Sequence, residues 1–363
     1  MRDEITALLR NDLQDQQPYG APQIDVPVRL NTNENSYPIP TDVAQDLGTA
    51  LSREVAGLNR YPDRAAARLR SALASYVGRD TDAARVWAAN GSNEILQQLL
   101  QVFGGQGKKA MGFPPSYSMH PVISRATGTE WCEGARGGGF DLDAESAAQQ
   151  VQRERPDIVF LCSPNNPTGT ALHGDVIASV YEHTDGIVVV DEAYAEFGRD
   201  GTASALDLLP TRPRLVVTRT LSKAFGLAGA RVGYCIGDPR IVDAMQLVRL
   251  PYHLSTLTQT VALAALDHAP RLLENVVALK QQRDRMAVEI AELGLRVAPS
   301  DANFVFFGGL ADSRDVWKSL VDRGVLIRDV GIEGWLRVSA GTPDETSAFL
   351  TALRDVCQKE KDG

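Results

Sequence analysis

Thr220-Leu221-Ser222-Lys223-Ala224-Phe225-Gly226-Leu227-Ala228-Gly229-Ala230-Arg231-Val232-Gly233-Tyr234 is the segment around which this chain is organised. An apolar run, Leu215-Val216-Val217-Thr218, precedes it and reads as a buried strand; a second run, Val232 to Ile236, follows. Between them lie small residues, one lysine and one arginine. Most lysines are solvated surface groups. Lys223 has Ala, Phe, Gly and Leu as neighbours and no acidic residue within several positions. Desolvation disfavours the ammonium and lowers the pKa of a lysine in such a setting. A neutral amine is what Schiff-base chemistry requires. Ser222 supplies a hydroxyl and Arg231 a fixed cation, both suited to a phosphate. An aldehyde captured beside a phosphate points to pyridoxal 5'-phosphate.

The same rhythm extends upstream. Ile158-Val159-Phe160-Leu161-Cys162 reads as a buried strand ending in Ser163-Pro164-Asn165-Asn166-Pro167-Thr168-Gly169. A helix is predicted over about 173–183, and Ile187-Val188-Val189-Val190 is the next strand, ending in Asp191-Glu192-Ala193-Tyr194. Continuous apolar strands alternating with helices predict an α/β fold with a mainly parallel sheet covered on both faces. Sites in such sheets lie beyond the carboxyl ends of the strands, where Asn166, Asp191, Tyr194 and Lys223 all fall.

Working outward, residues 1–17 read as a short polar helix, and Leu30-Asn31-Thr32-Asn33-Glu34-Asn35 as a surface loop or the lining of a site. Thr41 to Leu51 reads as a helix, and Pro62 with Asp63 as the start of the next, through Tyr76. Asn90-Gly91-Ser92-Asn93-Glu94 opens an amphipathic helix with apolar positions at Ile95, Leu96, Leu99, Leu100 and Phe103. Gly91 and Ser92 there either expose N–H groups to an anion or mark a plain N-cap by Ser92. Residues 258–293 are predicted to be long and helical. Beyond them, strands near 302–307 and 334–339 with helices near 312–323 and 343–358 make an α+β module. We therefore expect a large domain over 36–262 and a smaller one combining 1–35 with 263–363.

Composition narrows the function classes. The chain has 363 residues, 44% hydrophobic and 23% charged, as in a globular protein of about two domains. A net charge of -9 disfavours nonspecific binding to nucleic acid or anionic membrane, so an anionic ligand needs local basic residues. Cys132, Cys162, Cys235 and Cys357 are widely spaced and read as reduced thiols, without a metal site. The N-terminus has no apolar signal core and no run reaches membrane-spanning length, so we expect a cytoplasmic location.

The motifs SPNNPTG, DEAYAEF and TLSKAFGLAGARVGY resemble the signatures of fold-type I pyridoxal-phosphate aminotransferases. The loops LNTNENSYP, NRYPD and NGSNEI, with LRVSAGTP near the end, resemble the histidinol-phosphate aminotransferase family, in order and over nearly the whole chain. The resemblance implies that Lys223 carries the cofactor and acts as general base. It implies that Asp191 contacts the ring nitrogen, that Asn166 and Tyr194 contact the ring oxygen, and that Tyr117 stacks on the ring. Ser222, Arg231, Gly91, Ser92 and Asn93 would hold the cofactor phosphate. Tyr61 resembles the tyrosine that reaches the neighbouring subunit's cofactor, which implies a homodimer. Arg337 resembles the arginine that grips the substrate's anionic end. Arg328 sits similarly, although a surface charge on an edge strand is the simpler reading for it alone. Tyr19 and Asn33 are expected to close over the substrate phosphate and Tyr252 to face the imidazole. Two departures stand out: Ser36 and Tyr37 intervene before Pro38, and Asn93 stands where relatives often carry Asp. The implied reaction exchanges an amino group between histidinol phosphate and 2-oxoglutarate, giving glutamate. An aromatic amino-acid aminotransferase and a non-catalytic regulator that binds the cofactor are the alternatives.

Overall fold

The computed structural model describes residues 5, 8–10, 13, 18 and 20–362, without the side chains of 359–362. The helix expected over 1–17, and Tyr19, lie largely or wholly outside the described residues. The strands in chain order are β1 (Val28–Arg29), β2 (Val86–Ala89), β3 (Lys109–Gly112), β4 (Glu130–Glu133), β5 (Ile158–Cys162), β6 (Ile187–Asp191), β7 (Leu215–Thr220) and β8 (Gly233–Ile236). They continue with β9 (Arg296–Val297), β10 (Phe304–Gly308), β11 (Val325–Leu326), β12 (Arg328–Asp329) and β13 (Trp335–Ser339).

Seven strands form one sheet in the order β2-β8-β7-β6-β5-β3-β4. Both faces are covered, as the unbroken apolar runs require. Val159, Leu161, Val188 and Val190 enter one core, while Ile158, Phe160, Val189 and Val216 enter the other. That second core receives Ile95, Leu96, Leu99 and Leu100 from the helix Ser92–Phe103, all of them buried. The alternation within β5 and β6 is the period of two that lets one strand serve two faces.

The sheet is mainly parallel, as expected, except that β8 runs antiparallel to both β2 and β7. A parallel return requires a crossover, usually a helix. Here the connection 221–232 holds only the short turn Ala228–Ala230, so the chain reverses and pairs back. That reversal keeps Lys223 and Arg231 on one loop at the end of β7.

The C-terminal strands form an antiparallel sheet, β12-β13-β10-β9, and β1 pairs in parallel with β11. Three helices differ in extent from the sequence reading. The first runs Thr41–Val55, past Leu51. The next begins at Ala67 rather than at Pro62, because the Asp63 carboxylate accepts from the N–H groups of Ala65 and Ala67 and caps the turn before it. The long stretch near 258–293 is two helices, Thr256–Asp267 and Ala269–Glu292, separated at His268 with a proline in the first turn of the second. Among the described residues, no helix is long and apolar enough to cross a membrane.

Candidate active site

A cavity of about 220 Å³ opens at the carboxyl ends of β5, β6 and β7 and is closed by segment 31–33, Arg328 and Arg337. Four of its lining side chains are cationic (Lys223, Arg231, Arg328 and Arg337) and only Asp191 is anionic. An acidic protein thus concentrates positive charge at one point, as an anionic ligand requires.

Asp191 ends β6 and is buried. Its Oδ1 accepts from the Thr218 hydroxyl at 3.0 Å, and its Oδ2 lies 3.4 Å from His120 Nε2. His120 in turn stacks on Phe160 with ring centroids 4.7 Å apart. Lys223 is half-buried, and its Nζ donates to the Thr32 carbonyl at 3.0 Å. Burial, followed by repulsion from Arg337 and Arg231, pulls the amine down to about 8, against the opposing pull of Glu34. Tyr194 is buried and its phenol accepts from Asn33 Nδ2 at 2.9 Å and Asn166 Nδ2 at 3.3 Å. Burial raises its pKa, with the Arg337 charge and the Asn33 hydrogen bond opposing.

The glycine-rich cradle is equally close. Gly91, at φ +84°, precedes the helix Ser92–Phe103, and a Cβ there would lie 2.5 Å from Arg231 Nη2. A Cβ on Gly233 would lie 2.2 Å from the Ser92 nitrogen. These two glycines let the guanidinium, β8 and a helix N-terminus converge, which makes a cationic cradle for a phosphate. Ser92 does not cap its helix: no side chain caps that N-terminus, and Glu94 Oε2 instead accepts from the Asn90 backbone at 2.6 Å. Ser92, Asn93 and Ser222 line the cavity. Tyr117 lines it too, with its hydroxyl donating to Asn93 Oδ1 at 3.1 Å.

A second cationic group lies on the C-terminal sheet. Arg337, buried, donates to Asn166 Oδ1 at 2.5 Å and to the Asn31 carbonyl at 2.8 Å. Arg328 is its direct cross-strand partner in the β12–β13 register. Arg328 Nη1 lies 3.4 Å from the Gly20 carbonyl, to which it donates.

Tyr252 is not brought to this cavity within the single chain. Tyr252 was expected to face the substrate ring; instead it stacks on Tyr61, centroids 4.4 Å apart and planes at 11°, and neither lines the site. Tyr252 lies in the loop after the helix Pro239–Val248, with φ +58°, and is exposed. Tyr61 is 79% exposed, and Leu58 and Leu250 are exposed nearby in sequence. Conversely, the sequence reading passed over His120, Thr218, Thr32 and Ser339. The spacing of Tyr117 and His120, three apart at a helix start, was a usable signal for the first.

Residues 25–353 match the family model "Aminotransferase class I and II". The chain is 55% identical over 360 residues to a histidinol-phosphate aminotransferase of Paenarthrobacter aurescens, covering 97% of each. It is 59% identical over 353 residues to one of Frankia casuarinae, covering 95% of this chain and 89% of that one. Its fold matches the histidinol-phosphate aminotransferase of Sinorhizobium meliloti, solved with pyridoxal-5'-phosphate, at a TM-score of 0.86 and 23% identity, covering 98% of each. The chain belongs to the class I and II aminotransferases, in the family of the histidinol-phosphate aminotransferases.

Proposed function

We infer that this chain catalyses reversible amino transfer between L-histidinol phosphate plus 2-oxoglutarate and imidazole-acetol phosphate plus L-glutamate, a step of histidine biosynthesis. Its cofactor is pyridoxal 5'-phosphate. The relatives named above support the substrate assignment. The observation that carries it in this chain is the Arg328–Arg337 register pair. Both arginines line the cavity, where two guanidiniums side by side suit an anion. The substrate phosphate and the glutamate carboxylate are both such anions, one in each half-reaction.

The residues present fit the cofactor. Asp191 is a buried carboxylate suited to a protonated ring nitrogen, with the Thr218 hydroxyl donating to one oxygen and His120 Nε2 3.4 Å from the other. Asn166 and Tyr194 are the partners for the ring oxygen. The Gly91–Arg231 cradle with Ser92, Asn93 and Ser222 is the phosphate site. Tyr117, which lines the cavity, would cover the ring. When bound, the group supplies an aldehyde for an amine and a ring that draws electrons from the substrate's Cα. Lys223 Nζ, already poised near neutrality, takes the proton that leaves Cα and returns it for the 1,3-shift. Thr32 gives that amine an acceptor while it is free. Segment 31–33 limits the access of water.

We place the enzyme in the cytoplasm, where its four free cysteines suit a reducing milieu. We further propose that it acts as a homodimer, with the exposed Tyr61–Tyr252 stack meeting the second copy and Tyr61 reaching its cofactor phosphate. Mixing inactive Tyr61→Phe and Lys223→Ala chains is then expected to restore part of the activity, because one site in each mixed dimer escapes both changes. No recovery under confirmed subunit exchange contradicts the shared site. The cofactor assignment is tested by borohydride reduction and peptide mapping. A pyridoxyl label on Lys223 is expected; a label on another lysine contradicts it.

A further inference from the structure

Tyr194 is held by two amides, and each amide is oriented by a different residue of β13. Asn166 presents Oδ1 to Arg337 Nη1 at 2.5 Å. A guanidinium only donates, so the Asn166 amide has one permitted orientation, and its Nδ2 is left to donate to the Tyr194 oxygen at 3.3 Å. Asn33 is the second. Its backbone N–H donates to Ser339 Oγ at 2.9 Å, and Ser339 Oγ donates to Asn33 Oδ1 at 3.1 Å. With the serine oxygen accepting from the backbone, its single proton goes to the carbonyl end of the amide. Asn33 Nδ2 is thereby directed to the Tyr194 oxygen at 2.9 Å.

The consequence concerns one proton. Two N–H groups occupy the acceptor side of the Tyr194 oxygen, so the phenol's own O–H points into the cavity that Tyr194 lines. Arg337 and Ser339 are two apart on β13, on one face of the strand, and both are buried. The surroundings leave little freedom: Asn33 is 1% exposed, and the Tyr194 ring meets Phe304 edge-on at 5.2 Å, Phe304 being the register partner of Ser339. Ser339 also anchors the backbone, its N–H donating to the Leu30 carbonyl at 2.9 Å.

We propose that Ser339 is a positioning residue that acts through Asn33 to keep the Tyr194 hydroxyl aimed into the cavity as a donor. The proposal rests on the cofactor site described above. Ser339 touches neither cofactor nor substrate; it fixes which end of one amide faces the phenol. Without its hydroxyl, the Asn33 amide is free to turn its oxygen to Tyr194, and the phenol's proton then goes to Asn33. A ring oxygen that loses this donor becomes easier to protonate.

The test is the pH midpoint of the visible absorption change of the cofactor-loaded protein. Ser339→Ala is expected to raise that midpoint by roughly half a unit to one unit, the scale of one hydrogen bond. Ser339→Thr, which keeps the hydroxyl, is expected to return it to the wild-type value. In a Tyr194→Phe background, Ser339→Ala is expected to add nothing, because the residue through which it acts is gone. Asn33→Asp, whose side chain only accepts, tolerates the left-handed backbone (φ +55°) and draws the phenol's proton directly, so it provides the same reading if Ser339→Ala does not fold. A midpoint unchanged in both Ser339→Ala and Asn33→Asp, or a full shift that persists in the Tyr194→Phe background, overturns the proposal alone. A wild-type protein without the visible band overturns the cofactor reading and this proposal with it.

Discussion

The two walls of the cavity are built on different principles. The wall at the ends of β5, β6 and β7 takes each group from the last residue of an apolar strand or the few residues beyond it: Asn166, Asp191 and Lys223. The facing wall joins segment 31–33 to β12 and β13, and its hydrogen bonds link residues as far apart as Asn33 and Ser339, 306 positions. The first wall is as rigid as the sheet behind it. The second depends on a few long-range polar contacts between separate segments, so a single substitution there changes both what binds and how the other wall is oriented. Arg337 shows this, since it serves an anion site and also holds Asn166 on the opposite wall.

The largest effect is expected on the sheet wall. Lys223→Ala removes the amine that binds the cofactor and moves the proton, and turnover is expected to fall by roughly 1000-fold or more. Steady-state glutamate formation measures this; turnover retained at the wild-type rate would move the general base elsewhere. Arg337→Leu probes the assembled wall. Loss of a charged hydrogen bond is expected to cost roughly 2–4 kcal/mol, about 30- to 1000-fold in kcat/KM, in both half-reactions. The visible spectrum of the bound cofactor should persist, because Arg337 is not among its ligands. Loss of the spectrum as well would show that the contact of Arg337 with Asn166 is needed to hold the cofactor, beyond its grip on the anion.

The smallest effect is on stability and sharpens the electrostatic contrast. Lys223 sits at about 8 in the folded chain against 10.5 as an ordinary lysine. Between those values the unfolded chain binds more protons than the folded one, so stability rises with pH across that window. Chemical denaturation of the cofactor-free protein at the two ends of the window should show the rise, and Lys223→Met should remove it. An equal rise in the variant assigns the effect to another group.

The same contrast explains what the sequence could convey. Lys223, Asp191 and Asn166 were legible because each stands at the end of an apolar run, where strand period and chemistry coincide in a few consecutive residues. Arg231 shares a loop with Lys223 and was legible for the same reason. The direction of β8 was not, since it depends on how the loop 221–232 closes. Where the Tyr252 ring lies was not legible, since it depends on a stack with Tyr61 from a distant segment. The Thr32 carbonyl carries no mark in a sequence, as every residue has one; only the fold selects it as the acceptor for Lys223. Ser339 is one serine among many until Asn33 is brought against it.

The most direct test of the substrate assignment is a comparison of kcat/KM for histidinol phosphate and for phenylalanine in the wild-type protein, with 2-oxoglutarate as the common acceptor. The Arg328–Arg337 pair can also take the carboxylate of phenylalanine, so the predicted preference comes from the phosphate's further oxygen and charge: one additional charged hydrogen bond should favour histidinol phosphate by about tenfold. A preference for phenylalanine would contradict the account and make this chain an aromatic amino-acid aminotransferase.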